Sequence, residues 1–396
     1  MCLSKTINSN FQNPEPKVFP ELRILIAGGG TGGHLFPGIA IAEVFMKRQP
    51  ATRVLFVTSG KKIEETVLAK TLFEKKLISV QGIKGKGLMA KLASLCRLPK
   101  GMIDALRLLI GFKPHVVIGM GAYSAGPVIA GAWMLRIHRV IHEQNSIPGL
   151  TNRLLSGLVE KIYVSFPNTG FKQTVSHKID FTGNPVRNEI VQAIENEQNG
   201  QNVQADETDV YNILVLGGSQ GAHSINMAVL DSIMYLQNPA KFRFVHQTGT
   251  MDADEVTKVY QQLKVEAVVA PFFNNMADCY KKADLVICRS GATTVAELTV
   301  TGKAAIFIPF PYATDDHQVV NARALVEDGA AEMILEKNLT GQKLAGKMTF
   351  YAEKPEVKKR MESKIRKFGH PDAAERIADD IYRIIKNKKH KSACIL

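Results

Sequence analysis

The chain has 396 residues, more than twice the roughly 150 residues of a typical domain, so two globular domains are expected. Hydrophobic residues make up 45% and charged residues 22%, a composition that excludes a disordered, collagenous or disulfide-rich chain. The net charge of +13 favours phosphate-bearing ligands, nucleic acid or an anionic membrane as partners.

The chain begins with a polar segment, residues 1–20, which is rich in asparagine and proline and has no apolar run. This segment is expected to be a disordered tail rather than a signal peptide. From Leu22 onward, short runs of aliphatic and β-branched residues alternate with helical patterns, as in parallel sheets covered by helices. These runs predict strands at 22–27, 53–57, 115–118, 212–216, 243–246, 284–288 and 305–308.

The alternating pattern starts twice, which predicts two domains of the same kind. A strand leads into a glycine-rich segment at 28–34, and another strand leads into a second such segment at 217–223. The expected fold is α/β, with a Rossmann-like domain over 21–184 and another over 185–370. A polar connection near 195–209 has little to bury and is expected in solvent. An amphipathic helix and a basic tail are expected over 371–396.

The stretch from Val116 to Leu135 contains no charged residue and is long enough to span a bilayer. Four glycines and a proline nevertheless divide it. We therefore interpret it as a buried strand, a glycine-rich turn and the start of a helix.

The first glycine-rich segment is a candidate phosphate-binding loop. Gly28, Gly30 and Gly33 satisfy the dinucleotide pattern GxGxxG after a strand. The second strand, however, ends in Thr58-Ser-Gly-Lys-Lys62 and lacks the acidic residue that binds a ribose. Only a basic, NADP-type variant of such a site stays open.

The segment 288–297, Cys-Arg-Ser-Gly-Ala-Thr-Thr-Val-Ala-Glu, is a second candidate. It ends a strand and is expected to begin a helix at about Ala292, whose free backbone amides suit a diphosphate. Glu297 lies one turn into that helix. Its carboxylate can accept hydrogen bonds from vicinal ribose hydroxyls, or it can satisfy the helix N-terminus by a capping contact.

Seven motifs match one family in order along the chain: GGGTGGH (28–34), GMGAYSAGP (119–127), HEQNSIPG (142–149), GNPVR (183–187), GGSQGA (217–222), CRSGATTVAE (288–297) and DDHQVVNA (315–322). The chain resembles the MurG family, bacterial enzymes that complete the lipid-linked peptidoglycan precursor. The resemblance implies the GT-B glycosyltransferase fold, in which two Rossmann-like domains have parallel sheets that face each other across a cleft.

The reaction implied by the resemblance is an inverting transfer of N-acetylglucosamine (GlcNAc) from UDP-GlcNAc. The acceptor is the C4 hydroxyl of the N-acetylmuramoyl (MurNAc) unit of undecaprenyl-diphospho-MurNAc-pentapeptide, or lipid I, and the product is lipid II. The implied location is the cytoplasmic side of the bacterial plasma membrane, where the enzyme is bound peripherally and contacts other cell-wall synthesis proteins.

The resemblance also implies which residues hold UDP-GlcNAc. Arg187 and Ser219 are expected to bind diphosphate oxygens, and Gln318 with Asn145 is expected to read sugar hydroxyls. Phe273 is expected to pack at the uracil, with its backbone hydrogen-bonding the base edge. The full expected set is Thr31, Gly32, Gly33, Asn145, Arg187, Ser219, Phe273, Ala292, Thr293, Thr294, Val295, Ala296, Glu297 and Gln318.

An inverting displacement needs a general base for the attacking hydroxyl and positive potential for the leaving diphosphate. His34 is our first choice for the base, because imidazole suits proton transfer near neutral pH, although it can also serve only to position substrate. Glu143 is the rival base, and the sequence does not rank the two decisively. Tyr123, in a glycine-rich loop of the first domain, is expected either to contact the acceptor or to pack.

No metal and no cofactor are expected. These motifs contain no Asp-x-Asp signature, and the five scattered cysteines show neither zinc-ligand spacing nor a disulfide framework. The amides of the helix after Gly291, together with Arg187, are expected to stabilise the leaving diphosphate.

A basic and apolar segment, Lys84–Lys113, is expected to contact a membrane. It has seven basic residues against one acid, Asp104, with aliphatic residues at helical spacing between them. The named contacts are Lys84, Lys86, Lys91, Leu88 and Leu92. The alternative is a buried stripe beside solvated lysines. Nucleic acid is not an expected partner, because recognised binding motifs are missing.

Three other enzymatic functions stay open. A glycolipid synthase would use a diacylglycerol acceptor, a UDP-GlcNAc 2-epimerase would act on the soluble nucleotide without lipid, and an NADP-dependent oxidoreductase would use the first glycine loop. The HEQNSIPG and GNPVR motifs favour the peptidoglycan transferase. A protein that binds the sugar nucleotide without turning it over also stays open.

Overall fold

The computed structural model describes residues 19–78, 88–199, 210–218 and 221–393. Within the helices of these ranges, the side chains of 62, 88–98, 198 and 388–393 are not described. The chain forms two parallel β-sheets, and each is covered by helices on both faces. Central strands of both sheets are buried along nearly their whole length, which is why they consist of aliphatic residues without alternation.

The first sheet runs in the order β3-β2-β1-β4-β5-β6-β7, with every pair parallel. Its strands are β1 (Arg23–Ala27), β2 (Arg53–Thr58), β3 (Glu74–Leu77), β4 (Val116–Gly119), β5 (His138–Glu143), β6 (Lys161–Val164) and β7 (Ile179–Phe181). Its helices are α1 (Gly32–Arg48), α2 (Lys62–Leu68), α3 (Leu88–Phe112), α4 (Ala122–Met134) and α5 (Leu150–Leu155), with a 3-10 helix at Gln173–Lys178.

The second sheet runs in the order β10-β9-β8-β11-β12-β13 and is also parallel. Its strands are β8 (Tyr211–Leu216), β9 (Phe242–Gln247), β10 (Ala267–Ala270), β11 (Leu285–Cys288), β12 (Ala305–Phe307) and β13 (Glu332–Met333). Its helices are α6 (Asn188–Gln198), α7 (His223–Ile233), α8 (Ala253–Gln262), α9 (Met276–Lys282), α10 (Ala292–Thr301), α11 (His317–Glu327), α12 (Gly341–Glu353) and α13 (Pro355–Arg366). Short 3-10 helices lie at Pro239–Lys241, Thr314–Asp316 and Glu336–Asn338.

All seven predicted strands are present, and their ends differ from the prediction by no more than one residue. The uncharged stretch 116–135 forms β4, a turn with Gly121 at φ 88°, and α4, which confirms its interpretation. In the part of the chain that the structure describes, no helix is both long and apolar enough to cross a bilayer. The expected polar connection near 195–209 lies mostly outside the described residues, and α6 includes its first residues.

The topology places one crevice at the edge of each sheet. β1 lies between β2 and β4, and β8 lies between β9 and β11. The strand order continues outward in opposite directions on the two sides of β1 and of β8, so the connections that leave the flanking strands pack on opposite faces of the sheet. Ligands of open α/β sheets bind where the strand order reverses in this way, beyond the carboxyl ends of the strands. The glycine-rich segments at 28–34 and 217–223 follow β1 and β8, the strands at these two reversals.

The C-terminal helix α14 (Ala373–Ala393) returns to the first domain. Ile377 and Ile381 are buried in the same apolar cluster as β1 and α1, and Arg48 of α1 donates to Asp379 at 2.7 Å. The chain therefore crosses between the domains twice, first after β7 and again after α13. At the first crossing Gly183 has φ 85°, and the His370 side chain occupies the space that a Cβ would need. Glycine alone fits this position.

Candidate active site

A cavity of about 430 Å³ lies between the two domains and is called here the central cavity. Its volume is within the range of small-molecule sites. Its lining residues from the first domain are Thr31, Gly32, Gly33, His34, Phe36, Gln144 and Asn145. From the segment after β7 and the second domain they are Arg187, Leu216, Gly218, Gln247, Phe272, Met276, Tyr280, Arg289, Gly291, Ala292, Thr293, Thr294, Glu297, His317 and Gln318.

Two helices from opposite domains begin at the central cavity. The N-cap residues, Thr31 of α1 and Gly291 of α10, make no side-chain capping hydrogen bond, so amides of both first turns remain available. The Thr293 hydroxyl donates to the carbonyl of Gly33 at 3.3 Å and ties the two first turns together. Two converging helix N-termini favour a dianionic ligand such as a diphosphate.

Arg187 and Glu297 form a buried ion pair at the wall of this cavity. The Arg187 Nε and Nη2 atoms each lie 2.9 Å from Glu297 Oε1, and the Tyr280 hydroxyl donates to Glu297 Oε2 at 2.9 Å. The Arg187 guanidinium also stacks over Phe36, 4.7 Å from the ring centroid. Glu297, which is predicted to bind the ribose, is thus held by Arg187 at one carboxylate oxygen and by Tyr280 at the other. Lone pairs on both oxygens are left for a bound molecule.

The charges of this cluster are set by their burial and by one another. Burial works against the charge of Arg187, but its carboxylate neighbours, Glu297 foremost, raise the pKa of the guanidinium. Burial, followed by the negative charge of Glu297, raises the pKa of Tyr280 well above its usual value. Arg187 therefore stays cationic, and the Tyr280 hydroxyl stays a hydrogen-bond donor.

Helix α10 presents one face to the cavity and the other to the core. Ala292, Thr293, Thr294 and Glu297 line the cavity, as expected. The side chains of Val295 and Ala296 do not line the cavity, because Val295 is buried in the apolar cluster of the second domain and Ala296 packs against it. A ligand contact through the backbone of these two residues stays a prediction. The helical repeat turns these two positions away from the face that carries Thr293 and Glu297.

Phe273 and Ser219 were both expected to contact UDP-GlcNAc. Phe273 does not line the cavity; its side chain packs on the apolar core, and its backbone N–H donates to Gln247 Oε1 at 3.0 Å. The neighbouring Phe272 lines the cavity instead. Because the chain here is irregular, the sequence does not reveal which aromatic side chain faces outward. Ser219 lies outside the described residues.

Asn145 and Gln318 both line the central cavity and are fixed by their neighbours. Gln318 Oε1 accepts from the backbone N–H of Phe310 at 3.0 Å, which directs its amide nitrogen to the other side. Asn145 Oδ1 accepts from Asn321 Nδ2 at 3.2 Å, across the domain boundary. Asn321 is fully buried and also accepts from the backbone N–H of Ser146 at 3.0 Å. Its place in the motif DDHQVVNA was the signal that could have identified it.

A second cavity of about 670 Å³, called here the loop cavity, is formed mainly by the loops after β1, β4 and β5. Tyr123 lines it and is 39% exposed, as expected for an acceptor contact. The preceding Ala122 has φ 59°, a strained conformation for a residue with a Cβ. Such strain is common at functional sites.

The central and loop cavities share four lining residues: Thr31, His34, Asn145 and His317. These residues define the junction where molecules bound in the two cavities would meet. Among them, only the two imidazoles can take a proton near neutral pH. His317 was not predicted, although it lies in a quoted motif; its Nδ1 is 2.8 Å from the carbonyl of Thr314.

The two candidate bases differ in how their acceptor atoms are used. Glu143 is buried; its Oε1 accepts from the backbone N–H of Asn145 at 3.0 Å, and its Oε2 accepts from Gly149 N–H at 3.0 Å and Asn152 Nδ2 at 2.8 Å. This carboxylate therefore holds the turn after β5 together. His34 Nδ1 lies 2.8 Å from Gln144 Oε1, and among the described residues its Nε2 has no hydrogen-bond partner. The geometry favours His34 as the base.

The expected membrane contacts cannot be judged residue by residue. Lys84 and Lys86 lie outside the described residues, and Leu88, Lys91 and Leu92 belong to the part of α3 whose side chains are not described. Among the side chains that are described, no cluster of three or more histidine, cysteine or acidic residues could hold a metal ion.

Family comparisons match both domains. The glycosyltransferase family 28 N-terminal domain matches residues 24–164, and the glycosyltransferase family 28 C-terminal domain matches residues 212–377. Together with two parallel-sheet, Rossmann-like domains that line one cavity, these matches identify a glycosyltransferase of the GT-B fold. A protein of Syntrophus aciditrophicus (strain SB), named UDP-N-acetylglucosamine--N-acetylmuramyl-(pentapeptide) pyrophosphoryl-undecaprenol N-acetylglucosamine transferase, is 44% identical over 92% of this chain and 99% of its own length. The chain belongs to the MurG family.

Solved structures agree with this assignment. The crystal structure of Acinetobacter baumannii MurG matches with a TM-score of 0.70 at 30% identity and covers 92% of this chain and 100% of that one. UDP-GlcNAc 2-epimerase from Neisseria meningitidis, bound to UDP-GlcNAc, matches with a TM-score of 0.64 over 91% of this chain and 100% of its own. Its identity of 16% shows a shared fold and no more.

The buried ion pair predicts a specific pattern of stability. Arg187→Met is expected to lower the free energy of unfolding by about 3–5 kcal/mol, because the buried carboxylate of Glu297 loses its counter-charge. Arg187→Met/Glu297→Gln removes that stranded charge and is expected to recover a large part of the loss. Urea unfolding measures both variants, with Arg383→Met, whose side chain is 70% exposed, as the control. Equal losses in the single and double variants would contradict the pairing.

Proposed function

We propose that this chain transfers GlcNAc from UDP-GlcNAc to the C4 hydroxyl of MurNAc in lipid I and forms lipid II with inversion at the anomeric carbon. The observation that carries the proposal is the meeting of two cavities at His34, one suited to a nucleotide diphosphate and the other open to a second substrate. The name of the 44% identical relative describes the same transfer.

The donor occupies the central cavity in this proposal. Its diphosphate lies between the first turns of α1 and α10, where two sets of free amides supply positive potential without side-chain reorganisation. Its ribose hydroxyls donate to Glu297. Arg187 was expected to bind diphosphate, but its pairing with Glu297 supports a different main role. It orients that carboxylate and supplies its counter-charge, while its positive charge adds to the field on the diphosphate.

The acceptor sugar occupies the loop cavity and contacts Tyr123. Its C4 hydroxyl attacks C1 of GlcNAc from the face opposite the diphosphate, and His34 takes the hydroxyl proton. The new C1–O bond forms as the C1–O bond to the diphosphate breaks, and UDP leaves with that electron pair. The charge that develops on the departing oxygen is stabilised by the first-turn amides of α10.

A surface of the first domain suits an anionic membrane. Helix α3 packs against α4. The name α3–α4 surface is used here for six of the exposed residues described on this pair: Lys100, Ile103, Arg107, Ile110, Trp133 and Met134. Its four apolar side chains are 49–58% exposed. Exposed apolar side chains beside cations suit insertion at a lipid headgroup boundary, with about 1 kcal/mol for each basic residue. This surface supports the proposal that the protein binds peripherally to the cytoplasmic leaflet of the membrane.

The loop cavity also bears on the alternatives. A 2-epimerase acts on UDP-GlcNAc alone and has no use for a second cavity of about 670 Å³ that meets the first at a histidine. An enzyme with a diacylglycerol acceptor would use the same membrane surface. Transfer reactions with lipid I and with diacylglycerol are therefore needed to distinguish the two acceptors.

The proposed reaction is tested with UDP-GlcNAc that is radiolabelled in the sugar, in three parallel reactions that contain lipid I, diacylglycerol or no acceptor. Label is expected only in lipid extracted from the lipid I reaction. Transfer to diacylglycerol would overturn the acceptor assignment. Conversion of the donor to UDP-N-acetylmannosamine without any acceptor would overturn the reaction type.

His34→Ala is expected to lower kcat by about 10²–10⁴-fold, because the attacking hydroxyl loses its proton acceptor. The KM for UDP-GlcNAc is expected to stay within about threefold, since the base acts in the transition state and not in donor binding. Steady-state kinetics with saturating lipid I measures both. The matched control is His177→Ala, at an exposed histidine that lines neither cavity. Full turnover by His34→Ala would exclude His34 as the base.

The α3–α4 surface is tested with Ile103→Glu/Trp133→Glu. Binding to vesicles that contain anionic phosphatidylglycerol is expected to fall about tenfold or more, because two inserted apolar groups become anions. Turnover of a soluble, short-chain lipid I analogue is expected to be unchanged. The control is Met234→Glu/Tyr235→Glu, at side chains of the second domain that are 70% and 52% exposed. Equal vesicle binding by both double variants would contradict this surface.

A further inference from the structure

We infer that Gln144 is a positioning residue that fixes the tautomer of His34, with the proton on Nδ1 and a free lone pair on Nε2. The chemical consequence rests on the proposed role of His34 as the base. The tautomer itself follows from a directional series of hydrogen bonds through His142, Gln144 and His34.

The series has two fixed ends, both backbone carbonyls that can only accept. His142 Nε2 lies 3.3 Å from the carbonyl of Gly183, and Gln144 Nε2 lies 3.1 Å from the carbonyl of Met120. A hydrogen must therefore lie on each of these nitrogens. His142 and Gln144 are buried, so water does not offer them alternative partners.

The protonation of His142 determines which atom of His142 accepts a hydrogen bond from Gln144. Burial lowers the pKa of His142 to about 4, so its imidazole is neutral near pH 7 and carries a single proton. That proton lies on Nε2, which faces Gly183, and Nδ1 consequently has a lone pair. Gln144 Nε2 lies 3.1 Å from this Nδ1 and donates its second hydrogen there.

The orientation of the Gln144 amide is therefore determined. With its nitrogen and oxygen exchanged, the oxygen would face the carbonyl of Met120 and the carbonyl of His142, which lies 3.4 Å from Nε2. Two such oxygen–oxygen contacts in a buried site are unfavourable. The Gln144 oxygen thus points to His34 Nδ1, 2.8 Å away, and can only accept. His34 must carry its proton on Nδ1.

The free nitrogen of His34 has the properties that a base requires. Among the residues that the structure describes, Nε2 of His34 has no hydrogen-bond partner, and the side chain lies where the central and loop cavities meet. When Nε2 takes a proton, the Nδ1–H bond to Gln144 is retained and becomes charge-assisted, which stabilises the imidazolium.

An amide at this position has an advantage over a carboxylate. A carboxylate partner, as in the Ser-His-Asp arrangement, orients the imidazole and also adds a negative charge. Here that charge would lie close to the departing diphosphate. The neighbouring Glu143 could supply a carboxylate, but its oxygens are used within the turn, so the residue aimed at His34 is neutral.

The experiment uses the full chain labelled with ¹⁵N-histidine. Long-range ¹H–¹⁵N correlation spectra are recorded at a pH above the titration range of imidazole, where the rings are neutral. The signals of His34 are identified by their loss in His34→Gln. The wild-type spectrum is expected to show Nδ1 protonated and Nε2 unprotonated. A wild-type His34 with the proton on Nε2 would overturn the inference without need of any further variant.

Two substitutions at Gln144 separate positioning from folding. Gln144→Met removes the acceptor, so His34 is expected to shift toward the Nε2–H tautomer. The kcat is expected to fall about 10- to 100-fold, the range seen when partners that orient a histidine are removed, with the KM for UDP-GlcNAc within about threefold. Gln144→Glu keeps an acceptor for His34 and is expected to keep the Nδ1–H tautomer, while stability falls because its second oxygen faces the carbonyls of Met120 and His142. Wild-type kcat and tautomer in a folded Gln144→Met would overturn the inference.

The matched control is Asn152→Leu. Asn152 donates to the carbonyl of His142 and to Glu143 in the same turn, but it makes no hydrogen bond to His34. Its replacement is expected to lower stability and to leave the His34 tautomer unchanged. An Nδ1–H wild-type spectrum together with full turnover by His34→Ala would support the tautomer and overturn the base role, so the two failures are distinguishable.

Discussion

The site depends on one constraint: the turn after β5 lies at the domain boundary, where its polar groups cannot all reach water and must find partners in the protein. Glu143 is the main hydrogen-bond partner of these groups, since its two carboxylate oxygens accept hydrogen bonds from Asn145, Gly149 and Asn152. The turn that results is rigid, and it directs Gln144 toward His34 and Asn145 toward Asn321 of the other domain. The carboxylate of Glu143, one of the two candidate bases, thus fixes the residues on either side of it.

The second organising feature is the placement of charge. Two parallel sheets with the same strand reversal each present a helix N-terminus at the carboxyl edge, and the domains face each other so that both termini meet one cavity. Positive potential for a diphosphate is therefore built from backbone amides, which need no reorganisation. Arg187 then has a different task. It is paired with Glu297, whose buried carboxylate would otherwise lack a counter-charge.

The sequence predicted most of the fold because buried parallel strands are continuous aliphatic runs, which are easy to recognise between glycine-rich turns. The strands it did not predict are short or polar, such as Glu74–Leu77 at the sheet edge. Within the site, the motifs identified the segments but not which side chains face the ligand. Phe273 and Val295 lie in the right segments and point into the core, because the rotation of a loop or helix about its axis is set by packing. The bond between Asn145 and Asn321 joins residues far apart in the chain, and one sequence carries no signal for it.

The junction of the two cavities restricts the proton acceptor to a choice between two imidazoles, and their supports differ. His317 begins α11 directly after Asp315 and Asp316, which have φ of 56° and 50°. Within the described part of the chain its ring makes one hydrogen bond, to the carbonyl of Thr314. It is carried by a strained, exposed turn. His34 lies in the first turn of a 17-residue helix, and its ring is held by an amide whose own orientation is fixed at two buried carbonyls. Because proton transfer is favoured by a base that is held in the productive geometry, the firmer support of the His34 ring makes it the better candidate for the proposed proton acceptor.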